Sequence, residues 1–204
     1  MNTYLGACQN LTPADIDSTV VAGAKVTYLE GYLWDPPKAK EAFRLAAKIA
    51  HENGRQVALT FSDVFCLDTH GDEFLLLMRD GSVDIIFANE AELKALYKTS
   101  YFDGALASLR DDVPLAAVTR SEKGCVIVQG EKIFSAPAFP IEKIIDTTGA
   151  GDLFAAGFLY GYTQNMPLDK CGSLGCLAAS EIISHIGARP QVNLKQLAQE
   201  NGLL

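Results

Sequence analysis

The sequence is short of positive charge. Lysine and arginine number 17 against 25 aspartate and glutamate, for a net charge of −8. That balance argues against nucleic acid or an anionic membrane as a main partner. Histidine is scarce too: His51, His70 and His185 are the only three, and none stands at ligand spacing from a cysteine. The five cysteines (Cys8, Cys66, Cys125, Cys171, Cys176) are odd in number and scattered, with no Cys-x-x-Cys. Neither a zinc site nor a disulfide framework is expected, and a reducing cytoplasm is. No charged-then-apolar leader follows Met1, and no apolar run approaches the length of a membrane span. Common catalytic signatures are missing as well. There is no Gly-x4-Gly-Lys-Ser/Thr, no Gly-x-Gly-x-x-Gly after a strand, no Gly-x-Ser-x-Gly elbow and no His-Glu-x-x-His.

What remains is an ordinary globular composition, with 49% hydrophobic and 21% charged residues over 204 positions, enough for one domain with its own core. Met1 to Ala7 reads as the end of a strand. Thr12-Pro13-Ala14-Asp15 reads as a helix start, with a cap, a proline at the first helical position and an acid at the third. Strands are expected at 25–31, 56–61, 83–87 and 115–119, and a hairpin at 125–135 around Gly130-Glu131. Helices are expected from Pro36-Pro37 to the Asn53-Gly54 stop, then at 72–79, 89–97, 102–110, from Asp152, at 168–185 and at 194–199. Strands alternating with helices, and no repeat or linker, predict one α/β domain over residues 1–204. Its sheet should be mostly parallel with helices on both faces.

Four segments carry candidate chemistry. In the first, Asp146-Thr147-Thr148-Gly149-Ala150-Gly151-Asp152 runs directly into the apolar stretch Leu153–Phe158. A small-residue turn before a helix leaves backbone N–H groups open to an anion, favoured by the positive end of the helix dipole. Asp152 in the first turn then reads as a base for a nucleophile attacking a bound phosphate, although Gly-x-Gly before a helix is also an ordinary capped turn. In the second, Asn89-Glu90-Ala91-Glu92 fits a capping box. It also fits a pair of oxygen ligands holding hydrated magnesium at the carboxyl edge of a parallel sheet. In the third, Val118 to Gly124, Thr119 and Ser121 offer hydroxyls and Arg120 or Lys123 charge to a phosphate, or simply form a polar turn. In the fourth, the small residues of Gly175 to Ala188 allow tight helix packing or contact with a flat purine ring. His185 reads there as a helix-end residue.

Together these segments resemble the ribokinase-like, or PfkB, carbohydrate and nucleoside kinases across essentially the whole chain. The string Asp146–Asp152 is similar to that family's Asp-Thr-x-Gly-Ala-Gly-Asp motif, Asn89 and Glu92 to its Asn-x-x-Glu, and Thr119 with Gly124 to its Thr-x-Gly-x-x-Gly, where Ser121 replaces the middle glycine. The resemblance implies a three-layer α/β/α fold. It implies Asp152 as the catalytic base and the N–H groups of Gly149, Ala150 and Gly151 as an anion hole. It implies nucleotide contacts from Thr119, Ser121 and Gly124, and an adenine pocket at Cys176, Ala179 and Ser180. It further implies ATP and magnesium (Mg2+), the latter held through water by Asn89 and Glu92, and a monovalent cation such as potassium (K+) near Asp146, Thr148 and the loop at Gly187. Segments Glu30–Pro36 and Val118–Gly124 are most similar to bacterial adenosine kinase-like members, which implies phosphorylation of a nucleoside primary hydroxyl in purine salvage, adenosine foremost. A sugar acceptor or an inactive nucleotide-binding fragment are the alternatives. Family members carry roughly a further third of chain upstream, so the lid and most of the acceptor site are expected to be absent and a sheet edge left open to self-association.

Overall fold

Short apolar runs bounded by turn residues become strands, and amphipathic runs with caps become helices. A computed structural model describes residues 4–204. The chain divides into two compact units, Met1–Ala116 and Ala117–Leu204, and the six strands follow one another in the order β1-β2-β3-β4-β5-β6.

The first unit holds β1 (Val26–Glu30), β2 (Gln56–Thr60) and β3 (Ile85–Asn89), with helices α1 (Ser18–Gly23), α2 (Pro37–Glu52), α3 (Val64–Arg79), α4 (Glu90–Leu96) and α5 (Phe102–Asp112). β1 pairs parallel with β2 from Val26↔Gln56 to Glu30↔Thr60, and β2 parallel with β3 from Ala58↔Ile85 to Thr60↔Phe87. Val57, Ala58 and Leu59 are all buried, so both faces of β2 are covered. That is why β2 reads as a continuous apolar run rather than an alternating one. α2 buries Ala39, Ala42, Phe43, Ala46, Ala47 and Ala50, one stripe at helical spacing. It stops where Gly54 turns left-handed (φ 64°) and Arg55 N–H reaches back to Ala50 O at 2.8 Å. Trp34 anchors the core, with its ring 5.6 Å from Phe43 and 5.9 Å from Phe74.

Three local expectations change. Met1 to Thr3 lie outside the described residues, and the rest of the expected opening strand runs into a 3-10 helix at Gly6–Asn10. The Thr12–Asp15 cap closes on itself, since the Asp15 carboxylate accepts from both Thr12 N and Oγ1 at 2.9 Å. It starts only the 3-10 turn Pro13–Asp15. The first α-helix begins at Ser18, where Asp17 accepts from Thr19 N at 2.8 Å. α3 begins at Val64 rather than Asp72, capped by Asp63 accepting from Phe65 N. Thr69, His70 and Gly71 hide its first half in the sequence. In the fold His70 is satisfied by Asp35 at 2.6 Å and Glu73 at 3.3 Å.

β4 (Leu115–Thr119) carries the chain into the second unit. There β5 (Cys125–Gln129) and β6 (Lys132–Ala136) form an antiparallel hairpin, followed by α6 (Ala150–Thr163), α7 (Leu168–Ile182) and α8 (Leu194–Glu200). α6 and α7 pack at nearly backbone contact. A Cβ on Gly157 would lie 2.5 Å from Leu174 O, and one on Gly175 2.8 Å from the Phe154 ring. This packing fixes the direction of α6, whose first turn carries the candidate base.

Gly157→Ala should therefore lower stability by about 2–3 kcal/mol, because the methyl meets backbone that cannot move aside. Gly23→Ala, with nothing within 4 Å of the added Cβ, should be neutral or stabilising by up to about 1 kcal/mol. Urea denaturation of the two variants beside the parent checks the contrast.

Candidate active site

In the second unit the Asp146–Asp152 stretch is a turn feeding α6. Gly149 is the helix N-cap, in the left-handed region at φ 83°, where a side chain costs energy. Asp146 shapes the turn from below. Its Oδ1 accepts from Thr148 N at 2.9 Å and Thr148 Oγ1 at 2.7 Å, and its Oδ2 accepts from Gly187 N at 3.0 Å. The Thr148 hydroxyl, then the Gly187 and Thr148 N–H groups, hold the Asp146 carboxyl down at about 2, so it is ionised across the physiological range.

The N–H groups at the start of α6 are not equivalent. Ala150 N–H already donates to Thr147 O at 3.2 Å, and Leu153 N–H closes the first turn on Gly149 O at 2.9 Å. Gly151 and Asp152 lie between them, in the turn whose N–H groups have no carbonyl to reach. A Cβ added to Gly151 would meet nothing within 4 Å, so a ligand can approach the backbone there. Asp152 is exposed and, among the described residues, its carboxylate has no hydrogen-bond or ion-pair partner. An open pair of helix-start N–H groups beside a free carboxylate can bind an anion and accept a proton.

The 119–124 loop belongs to the same unit. Arg120 N–H donates to Gly124 O at 2.7 Å and Gly124 N–H to Ser121 O at 3.0 Å, so the segment is a closed turn. Ser121 sits at φ 52° and Gly124 at φ 81°. Ser121 thus keeps a left-handed conformation that favours glycine, the residue found there in the motif it resembles. Gly124 is irreplaceable on steric grounds, because a Cβ would lie 2.0 Å from Ala136 O. The next residue, Cys125, shares a thiol hydrogen bond with Cys176 on α7. That bond and burial push the Cys176 thiol up, so it stays protonated. The loop and one residue of the expected adenine pocket therefore meet. Cys176 is buried against Cys125, Ser180 Oγ donates back to Leu177 O at 2.7 Å, and Ala179 is half-buried.

Asn89 and Glu92 lie in the first unit, at the carboxyl end of β3. They form a full capping box on α4. Asn89 Oδ1 accepts from Glu92 N at 2.9 Å, Glu92 Oε2 accepts from Asn89 N at 2.9 Å, and Asn89 Nδ2 donates to Glu92 Oε1 at 2.7 Å. Glu92 is 6% exposed. Burial, helped by the nearby charges of Asp63 and Glu30 and opposed by the Asn89 N–H, raises its carboxyl to about 7. At neutral pH it is poised between a proton and a cation. The same strand ends bring together Glu30, which accepts from Ser62 Oγ, and Asp63, which accepts from Tyr32 OH at 3.3 Å.

Sequence reasoning gave no role to Glu181 and Gln191. Their signal was present: Glu181 is the one charged residue in the run Gly175–Ile183, a stretch otherwise of small and apolar residues plus Ser180. Glu181 Oε1 accepts from Gln191 N at 2.9 Å and lies 3.1 Å from His185 Nε2. Among the described residues no group of three or more acidic, histidine or cysteine side chains forms a ready metal cage, and no helix is long and apolar enough to cross a membrane.

A family model described as pfkB family carbohydrate kinase matches residues 1–194. The chain superimposes on the crystal structure of adenosine kinase from Sinorhizobium meliloti with TM-score 0.97 and 55% identity, covering 98% of this chain and 62% of that one. It superimposes on a probable sugar kinase protein from Rhizobium etli CFN 42 with TM-score 0.98 and 55% identity, covering 100% and 62%. Among curated relatives, a cytidine kinase of Thermococcus kodakarensis is 34% identical over 142 residues, 66% of this chain and 49% of that protein. The chain spans about half the length of the curated relatives it matches, from 35% to 57%.

Glu92 gives the first unit a pH signature. A carboxyl raised in the folded state from 4.5 to about 7 is protonated there while the unfolded chain has already ionised. Stability is therefore highest below about 4.5 and falls as pH rises towards 7, by up to about 3 kcal/mol. Glu92→Gln keeps an oxygen acceptor for Asn89 N–H and removes the ionisation. Urea midpoints between pH 4.5 and 8 in EDTA should slope downwards for the parent relative to the variant, and the two curves should converge at the acid end.

Proposed function

For a chain that belongs to the pfkB family of carbohydrate kinases, we propose ATP-dependent phosphorylation of a nucleoside primary hydroxyl, with adenosine the first candidate. The observation that carries this reading is the exposed, unpartnered carboxylate of Asp152 one residue from the open Gly151 backbone. Asp152 takes the proton of the acceptor hydroxyl as that oxygen attacks the terminal phosphate. The N–H groups around Gly151 hold the negative charge that develops, since they are fixed in the first turn and need no rearrangement. The closed 119–124 turn and the Cys176–Ser180 face of α7 receive the nucleotide. Asn89 and Glu92, titrating near neutrality, hold magnesium through water, and Asp146 with Thr148 borders a potassium position. ATP with magnesium supplies the transferable phosphoryl group when bound. The similarity to the Sinorhizobium meliloti adenosine kinase supports the nucleoside acceptor, and a cytoplasmic role in purine salvage goes with it.

The similarity, at equal identity, to a protein described as a probable sugar kinase supports a second acceptor class, which a panel of nucleosides and pentoses separates. A nucleotide-binding module without turnover is the remaining reading.

Asp152→Asn should reduce turnover by about a thousandfold or more. Calorimetric affinity for Mg-ATP should stay within about threefold, because the open N–H groups remain. Retained turnover in this variant would remove Asp152 from the base role. No turnover in the parent chain beside intact ATP binding would favour the binding module.

A further inference from the structure

Among the described residues two charged side chains are buried, Glu92 and Glu181. Capping accounts for the first. Glu181, with its side chain 7% exposed, is costly to bury, and its Oε2 is buried with no protein partner. What it gains is confined to Oε1, which accepts from Gln191 N at 2.9 Å and lies 3.1 Å from His185 Nε2. One oxygen thus ties both ends of the loop 185–191 to α7. That loop in turn holds the anion turn. Gly187 N–H donates to Asp146 Oδ2 at 3.0 Å, and Ile145 N–H donates to Ile183 O at 2.9 Å just before it. Ala188 lies against the left-handed Gly149, so that a Cβ there would be 3.0 Å from the Ala188 Cβ.

We propose that Glu181 is a positioning residue for the anion site: through His185 and Gln191 it fixes the 185–191 loop, and the loop fixes Asp146 and Gly149 at the start of α6. The alignment of the Gly151 and Asp152 N–H groups then depends on a carboxylate that touches no ligand. The catalytic consequence rests on the kinase reading, while the structural one does not.

The test uses the 204-residue chain, with amide hydrogen exchange read by NMR. Glu181→Ala should speed exchange at the hydrogen-bonded amides of Thr148, Ala150, Leu153 and Gly187 by about tenfold or more, the scale of losing a buried charged hydrogen bond. Amides inside α6, Phe158 to Tyr162, should change by less than about threefold. Glu181→Gln, which keeps the acceptor oxygen, should restore most of the protection. His185→Ala, a milder change that leaves Gln191 N–H in place, should give a smaller effect in the same amides. Leu174→Ala, which opens the α6–α7 core elsewhere, should act without that local preference. The proposal is overturned if Glu181→Ala loosens the loop no more than the helix interior, or if its pattern matches that of Leu174→Ala. In kinetics Glu181→Ala should lower kcat about tenfold with KM for ATP within about threefold, as expected for misaligned transition-state donors. If the parent shows no turnover, the kinase reading fails by itself and the exchange pattern still decides the role of Glu181.

Discussion

The second unit depends on a short chain of hydrogen bonds that ends at a helix start. Gly187 N–H and Thr148 divide the two oxygens of Asp146 between them. With Asp146 so held, Gly149 can turn left-handed and start α6 with its next N–H groups facing outward. A helix N-terminus is a general anion site. What sets this helix start apart is that its turn is fixed from outside by the 185–191 loop, and that its first free carboxylate, Asp152, stands beside the open backbone. The close α6–α7 contact at Gly157 and Gly175 then prevents α6 from rotating away.

The first unit solves a different problem. Its three parallel strands end in carboxylates, Glu30, then Asp63 just after β2, then Glu92 just after β3, and each is held by a neighbouring donor. Asn89 gives Glu92 three contacts, yet burial still keeps its carboxyl near neutrality. A capping box and a carboxyl raised towards neutrality are thus one arrangement, because the cap places the side chain where charge is costly.

Much of this was legible in the sequence because it is local. Pro37 and Gly54 bracket α2, and the run Val57–Leu59 marks a strand covered on both faces. The contiguous string from Asp146 to Asp152 gives the turn and the helix start that follows it. What was not legible was set by contacts between distant positions. α3 lost its first half to Thr69, His70 and Gly71, polar or flexible in isolation, and His70 makes sense only against Asp35, 35 positions away. The bond between Asp146 and Gly187 spans 41 positions, and the one between Glu181 and Gln191 spans 10. Neither leaves a periodic trace. The Thr12–Asp15 cap misled for the opposite reason: its signal is real, and the turn it caps is one turn long.

The central claim is that the N–H groups at the start of α6 receive the phosphate end of a nucleotide. Titration of the 15N-labelled chain with Mg-ATP, followed by amide chemical shifts, tests it most directly. The account predicts the largest changes at Gly149, Gly151 and Asp152, with smaller ones at Ala150, whose N–H is already engaged. Shifts confined to other segments, with those amides unmoved at saturation, would contradict it.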